Sequence, residues 1–194
     1  MITSPKHVSV EIYTTSHRVL GRLNPGPSGL FSYLNIRTTS SVEIEGAHLT
    51  RLHQPTKMVA RYPQLWLVKR EIVAVLLSSR VEMGPATITR GGFTTSVPHS
   101  VHILLGGYEL HGQIESPGKL NLSSLLFEGD RMFIPIYSTE LTAILFPSIR
   151  AESPAALFNR ERVDGMAPLS RGDTAPLAPP MAPWTPSEPQ QAPE

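Results

Sequence analysis

The feature that most constrains the fold of this chain is an internal sequence repeat. Residues 8–23 (VSVEIYTTSHRVLGRL) match residues 99–114 (HSVHILLGGYELHGQI), with Gly21 aligned to Gly112. Three further pairs of blocks follow in the same order: LFSYL (30–34) with NLSSL (121–125), VEIEGAHLTRL (42–52) with IPIYSTELTAI (134–144), and LVKREIV (67–73) with LFNRERV (157–163). Because four blocks keep one order, we infer that a single structural unit occurs twice.

Each unit has the pattern of antiparallel β-strands. Apolar residues alternate with polar ones at Val8, Val10 and Ile12, and the matching stretch of the second unit repeats the alternation. Gly21 and Gly112 fall inside the second strand, where a missing side chain marks a bulge, a bend or close packing. The predicted fold is all-β, with two tandem SH3-like or Sm-like small barrels of about five antiparallel strands each.

The repeat also sets the predicted domain boundaries. The first barrel covers residues 1–82 and the second covers residues 98–167, with a linker at 83–97. Residues 168–194 contain eight of the 19 prolines and show no apolar periodicity. We therefore expect the chain to end in a disordered Pro-rich tail.

The closing strands of the two units differ. The first unit ends in the apolar run IVAVLL (72–77), whereas the segment matched to it in the second unit is RVDGMA (162–167). Arg162, Asp164 and Gly165 do not suit a buried strand. We expect the last strand to be shorter than its counterpart, or to form an exposed edge guarded by charge.

The repeated unit resembles an Sm-like (LSm) domain. Its first block is similar to the opening two strands of that family, VEIEGAHLTRL to the third and fourth strands, and LVKREIVAVL (67–76) to the closing motif. Made twice, the unit also resembles a bacterial duplicated domain family of unknown function. The Sm-like resemblance implies small barrels, assembly into rings, and RNA binding through the loop after strand two and the closing motif. In this chain Glu71 follows Arg70 where RNA-binding members have glycine.

The chain shows no recurrent pattern of catalytic or metal-binding residues. It contains no cysteine and no GxSxG nucleophile element. His99 and His102 are three residues apart, and His48 and His53 are five apart, so the members of each pair diverge on a strand. No acidic set accompanies them at metal-ligand spacing. We predict no enzymatic activity, no metal, no cofactor and no small-molecule substrate.

Charge is distributed unevenly along the chain. Residues 1–82 hold ten Lys and Arg against five acidic residues, whereas residues 98–167 hold five against eight. Basic groups interspersed with aromatic side chains can bind single-stranded nucleic acid. Arg37, Lys69 and Arg70 are the candidate nucleic-acid-binding residues of the basic first unit.

Two functions remain open at this point. The first is a non-enzymatic binding or scaffold protein that acts through protein–protein interaction, with a partner protein or with copies of itself. The alternative is Sm-like RNA binding through the basic first unit. Gly21, Gly112 and Arg160 are assigned structural roles. Because the sequence has neither the pattern of a signal peptide nor that of a membrane span, a cytoplasmic location is expected.

Overall fold

The computed structural model describes residues 7–84 and 96–169, here called the first and second half. The described strands are β1 (Val8–Thr14), β2 (His17–Leu23), β3 (Ser41–Arg51), β4 (Gln54–Val68), β5 (Ile72–Leu77), β6 (Val97–Leu105), β7 (Tyr108–Ser116), β8 (Phe133–Ala143), β9 (Arg150–Asn159) and β10 (Val163–Pro168). They form one ten-stranded sheet in the order β10-β6-β7-β8-β9-β5-β1-β2-β3-β4, and every neighbouring pair is antiparallel. The expected all-β class is confirmed.

Short helical elements connect the strands. They are α1 (Gly29–Leu34), a π-helical turn (Ser124–Glu128) and 3₁₀ turns at Gly26–Ser28, Lys69–Glu71, Arg80–Met83 and Arg160–Arg162. Both halves therefore run through two strands, a helical element, two strands, a 3₁₀ turn and a final strand. None of the helices in the two described ranges is long and apolar enough to cross a membrane.

The two halves are joined by a pair of neighbouring strands. β5 pairs with β1 on one side and with β9 on the other, and Ala74 lies opposite Phe158 while Leu77 lies opposite Ala155. All six residues of β5 are buried. A strand that is covered on both faces needs apolar side chains at every position, which explains the continuous run IVAVLL.

The apolar core consists of two clusters, and the joining strands contribute to both. Val75 and Leu157 belong to the cluster built mainly from the first half. Their chain neighbours Ala74, Leu76 and Phe158 belong to the cluster built mainly from the second half. Because side chains alternate across a strand, β5 and β9 divide the two clusters and fill part of each.

Gly21 and Gly112 occupy corresponding places in β2 and β7, at the points where the register with the next strand shifts. A Cβ added to Gly21 would lie 2.4 Å from Ile44 Cγ2, and one added to Gly112 would lie 2.8 Å from Ile136 Cγ1. Each glycine thus lets the neighbouring strand bring an isoleucine against its backbone.

The sheet ends in β4 on one side and in β10 on the other. β10 has six residues, as many as β5, so it is not the shortened strand of our first alternative. It lies at the end of the sheet, as the second alternative expects, and the Asp164 carboxylate accepts a hydrogen bond from the Gly106 amide at 3.0 Å. Residues 85–95 of the predicted linker and residues 170–194 of the predicted tail lie outside the described residues.

Candidate functional site

The fourth pair of repeated blocks, LVKREIV (67–73) and LFNRERV (157–163), forms corresponding 3₁₀ turns in the two halves. The Lys69 amide donates to the Ser40 carbonyl at 2.8 Å, and the Arg160 amide donates to the Met132 carbonyl at 2.9 Å. Lys69 therefore occupies the place of Arg160, whereas the matched letters LVKREIV and LFNRERV set Arg70 there. The alignment of this motif is wrong by one residue.

The strands that precede the turns show why the register differs from the matched letters. Leu67 lies opposite Val42 in the first half, and Phe158 lies opposite Ile134 in the second. A slip of one residue would turn every side chain to the opposite face of the sheet, so the pairing with β3 and β8 sets the correspondence and the shared letters do not. The same correspondence sets Pro63 against Pro154.

Lys69 is withdrawn from solvent, with 3 % of its surface exposed. Its Nζ donates to the Ile36 carbonyl and to Thr39 Oγ1, both at 2.8 Å, and to the Tyr33 carbonyl at 3.3 Å. Burial lowers the pKa of this amine. Lys69 thus holds the loop after α1 and does not present its charge to a phosphate.

The other predicted nucleic-acid-binding residues lie in different surroundings. Arg37 is exposed and donates twice to the Asp130 carbonyl, at 2.8 and 3.1 Å, so it links the first half to the second. Arg70 is exposed, and its Nε lies 3.2 Å from Glu71 Oε1. Arg162 donates to the Arg70 carbonyl at 2.6 Å and also pairs with Glu71. These bonds join the two 3₁₀ turns.

An open cleft of about 900 Å³ lies beside α1, and Arg160 is among its lining residues. The Asn35 side chain forms two hydrogen bonds with the Phe133 backbone there, donating to the carbonyl at 3.0 Å and accepting from the amide at 2.9 Å. The Arg131 guanidinium stacks 4.8 Å from the centre of the Phe31 ring. These contacts use polar groups of the cleft to join the first half to the second.

The largest set of exposed apolar side chains on one strand lies on β4, at the end of the sheet. Its members are Met58, Val59, Tyr62, Trp66 and Val68. Trp66 is 59 % exposed, whereas Leu157, at the corresponding place in β9, is fully buried by β5. The edge of β4 that corresponds to the β5-paired edge of β9 is therefore open in the described sheet.

A second cluster of chemical interest lies on the hairpin of β6 and β7. His102 lies directly opposite His111, and their rings stack with centroids 4.1 Å apart. Glu109 lies two residues before His111, on the same face of β7. Burial and the neighbouring His102 both lower the pKa of His111. One donor atom from each of the three side chains lies within 4.8 Å of the other two.

The spacing of histidines along one strand does not reveal this cluster, because His102 and His111 lie on two different strands. A signal was present, since Gly106-Gly107 between two strand-like stretches is typical of a hairpin turn, and residues equidistant from such a turn lie opposite each other. Counting outward from the turn places His102 against His111.

Comparison of the chain with protein-family models, with curated proteins and with solved structures returned no match.

Proposed function

We propose that this protein is a non-enzymatic scaffold, built by duplication of a small barrel-like unit, whose copies join head to tail through the two ends of the sheet. The observation that carries this proposal is the β5–β9 pair. It shows, inside one chain, how the last strand of one unit covers the fourth strand of the next. Among the described strands, β10 and β4 are the corresponding ones that pair on one side alone.

The β5–β9 pair within the chain predicts which residues of β10 and β4 lie opposite each other in the proposed contact. Val75 lies opposite Ile12 and Met166 lies opposite Ile103, so Met166 corresponds to Val75. The same correspondence relates Trp66 to Leu157. Because Val75 pairs with Leu157, Met166 of one copy should pair with Trp66 of the next.

The composition of β4 supports this contact. Exposed apolar residues on an edge strand favour aggregation unless another strand covers them. Pro63 precedes the proposed pairing segment of β4, as Pro154 precedes the paired segment of β9. A proline that cannot donate a hydrogen bond would thus end the pairing at the same point in both contacts.

The contact is heterologous, since one copy uses β10 and the other uses β4. Such contacts generate closed rings or open filaments, depending on the rotation between copies. The alternative of RNA binding has less support, because Lys69 is buried and bonded within the chain while Arg37 and Arg70 have partners of their own.

Cross-linking between differently labelled copies tests the proposal. The chain has no cysteine, so Gln64→Cys in one preparation and Pro168→Cys in another supply the only thiols. By the register above these exposed positions lie opposite each other, and neither change removes Trp66. We expect mild oxidation of the mixture to yield a disulfide-linked dimer of the two variants.

Met58→Cys replaces Gln64→Cys as the matched control, because it is exposed on the same strand but about 20 Å away. Trp66→Lys, added to the Gln64→Cys chain, should abolish the cross-link and lower the native mass to that of one chain. Equal cross-linking from positions 58 and 64, or a native mass of one chain for the unmodified protein, would overturn the proposal.

A further inference from the structure

His102, Glu109 and His111 form a cluster of two imidazoles and one carboxylate. Among the described residues, the negative charge of Glu109 has no ion-pair partner. His102 Nε2 is buried and has no hydrogen-bond partner among the described residues. Within the same ranges the Glu109 carboxylate forms no hydrogen bond or ion pair. Glu140 lies opposite His111 on the other side, but its carboxylate is held by Arg150 at 2.8 Å.

The corresponding place in the first half shows what satisfies such a site. Glu11 lies opposite Leu20 there, as His102 lies opposite His111, so Glu11 stands at the place of His102. Arg18 stands at the place of Glu109, and its Nε lies 2.6 Å from Glu11 Oε1. The first half thus neutralises its carboxylate with an arginine. The second half has the carboxylate of Glu109 in place of the arginine, and the imidazoles of His102 and His111 in place of Glu11 and Leu20.

We propose that His102, Glu109 and His111 bind a divalent transition-metal ion of the zinc class, which takes the role that Arg18 has in the first half. Two imidazoles and one carboxylate are a common protein ligand set for such ions. Ligand bonds of about 2.0–2.1 Å place the donor atoms of a tetrahedral site about 3.3 Å apart. The donor atoms now lie within 4.8 Å of one another, and rotation of the three side chains would shorten these distances to that value.

The site has a defined chemical character. The hairpin holds two ligands directly opposite each other and the third two residues along the same strand, so most of the backbone geometry is in place before the ion arrives. Buried His102 Nε2 gains a partner when the ion binds. Three protein ligands leave a fourth coordination position for water or for a group from another molecule. Mg²⁺ and Ca²⁺ prefer oxygen ligands and are not expected to bind.

Calorimetric titration of the untagged, full-length, EDTA-treated protein with Zn²⁺ tests the inference. We expect one ion per chain, and Co²⁺ should give the intense visible absorption of a tetrahedral site. Glu109→Gln and His111→Ala should each weaken Zn²⁺ binding at least about tenfold. Zn²⁺ should raise the melting temperature of the unmodified chain and raise it less in Glu109→Gln.

His53→Ala is the matched control, since His53 is an exposed histidine outside the cluster. It should bind Zn²⁺ as the unmodified chain does. Far-ultraviolet circular dichroism verifies that each variant is folded. If His111→Ala does not fold, Glu109→Gln alone still tests the role of the cluster. Failure of the full chain to bind Zn²⁺ saturably, or equal weakening by His53→Ala and Glu109→Gln, would overturn the inference. Neither result bears on the pairing of β10 with β4.

Discussion

At the scale of single residues, two tyrosines mark the boundary between the halves. Tyr13 and Tyr108 are buried with their rings edge to face, the centroids 5.7 Å apart. The Tyr108 hydroxyl donates to the Thr14 carbonyl at 2.5 Å, and the Tyr13 hydroxyl donates to Glu11. Burial raises the pKa of both phenols, and for Tyr13 the hydrogen bond to Glu11 and its charge add to the rise. The fold therefore requires both rings to stay neutral.

This requirement predicts a loss of stability in alkali. Because the pKa of each folded phenol lies above the unfolded value of about 10, the stabilisation is fully present below that pH and is lost as the pH rises above it. Urea unfolding at about pH 8 and about pH 11 measures the loss. Tyr108→Phe should cost about 1 kcal/mol at the lower pH, where it removes one hydrogen bond, but should reduce the alkaline loss.

The exposed Tyr62 gives the control for this measurement, because Tyr62→Phe should change neither value. An alkaline loss in Tyr108→Phe as large as in the unmodified chain would show that the phenol of Tyr108 is not its source.

At the scale of elements, buried polar side chains hold the β5–β9 pair at both of its ends. Ser153 Oγ donates to the Leu77 carbonyl at 2.6 Å. Asn159 is fully buried; its Nδ2 donates to the Ile72 carbonyl at 3.0 Å and its Oδ1 accepts from the Glu161 amide at 3.0 Å. These side chains join β9 to β5 and cap the following turn, so they fix the register of the strands that unite the halves.

Asn159→Ala should therefore destabilise the protein by about 2–3 kcal/mol, because it leaves the carbonyl of buried Ile72 without this bond and removes the cap of the following turn. Denaturant unfolding monitored by fluorescence measures the change. Asn121→Ala is the comparison, since Asn121 is exposed and, among the described residues, its side chain accepts one hydrogen bond, from the Ser124 amide. A cost equal to that of Asn121→Ala would contradict the assigned role.

At the scale of the whole molecule, the two halves share their cores. Ala155 and Leu157 of β9 complete the cluster of the first half, while Tyr13 and Val73 contribute to that of the second. Separation of the halves would expose the face of β9 that packs in the first cluster and the face of β5 that packs in the second. We infer that the described ranges form one cooperative folding unit.

This inference predicts that neither residues 1–84 nor residues 96–194 fold cooperatively when produced alone, whereas the two fragments together should form a folded complex. Thermal unfolding followed by circular dichroism is the measurement, with the intact chain as reference. Isolated fragments that melt cooperatively at the midpoint of the intact chain would show two independent domains.

The sequence by itself predicted the features that depend on neighbouring residues. Alternation at Val10 and Ile12 predicted a strand because side chains on a strand point to opposite faces in turn, and the glycines of the second strands predicted close packing there. The charged closing segment predicted an exposed edge, where β10 lies. All of these depend on the local period of the chain.

Only the tertiary structure decided which strands and side chains meet. It placed β5 against β9, shifted the register of the closing motif by one residue, buried Lys69 and brought His102 against His111. These outcomes depend on the burial of two faces at once and on hydrogen bonds between residues far apart in the chain. A pattern read along one strand contains neither, because it does not specify the surface against which that strand packs.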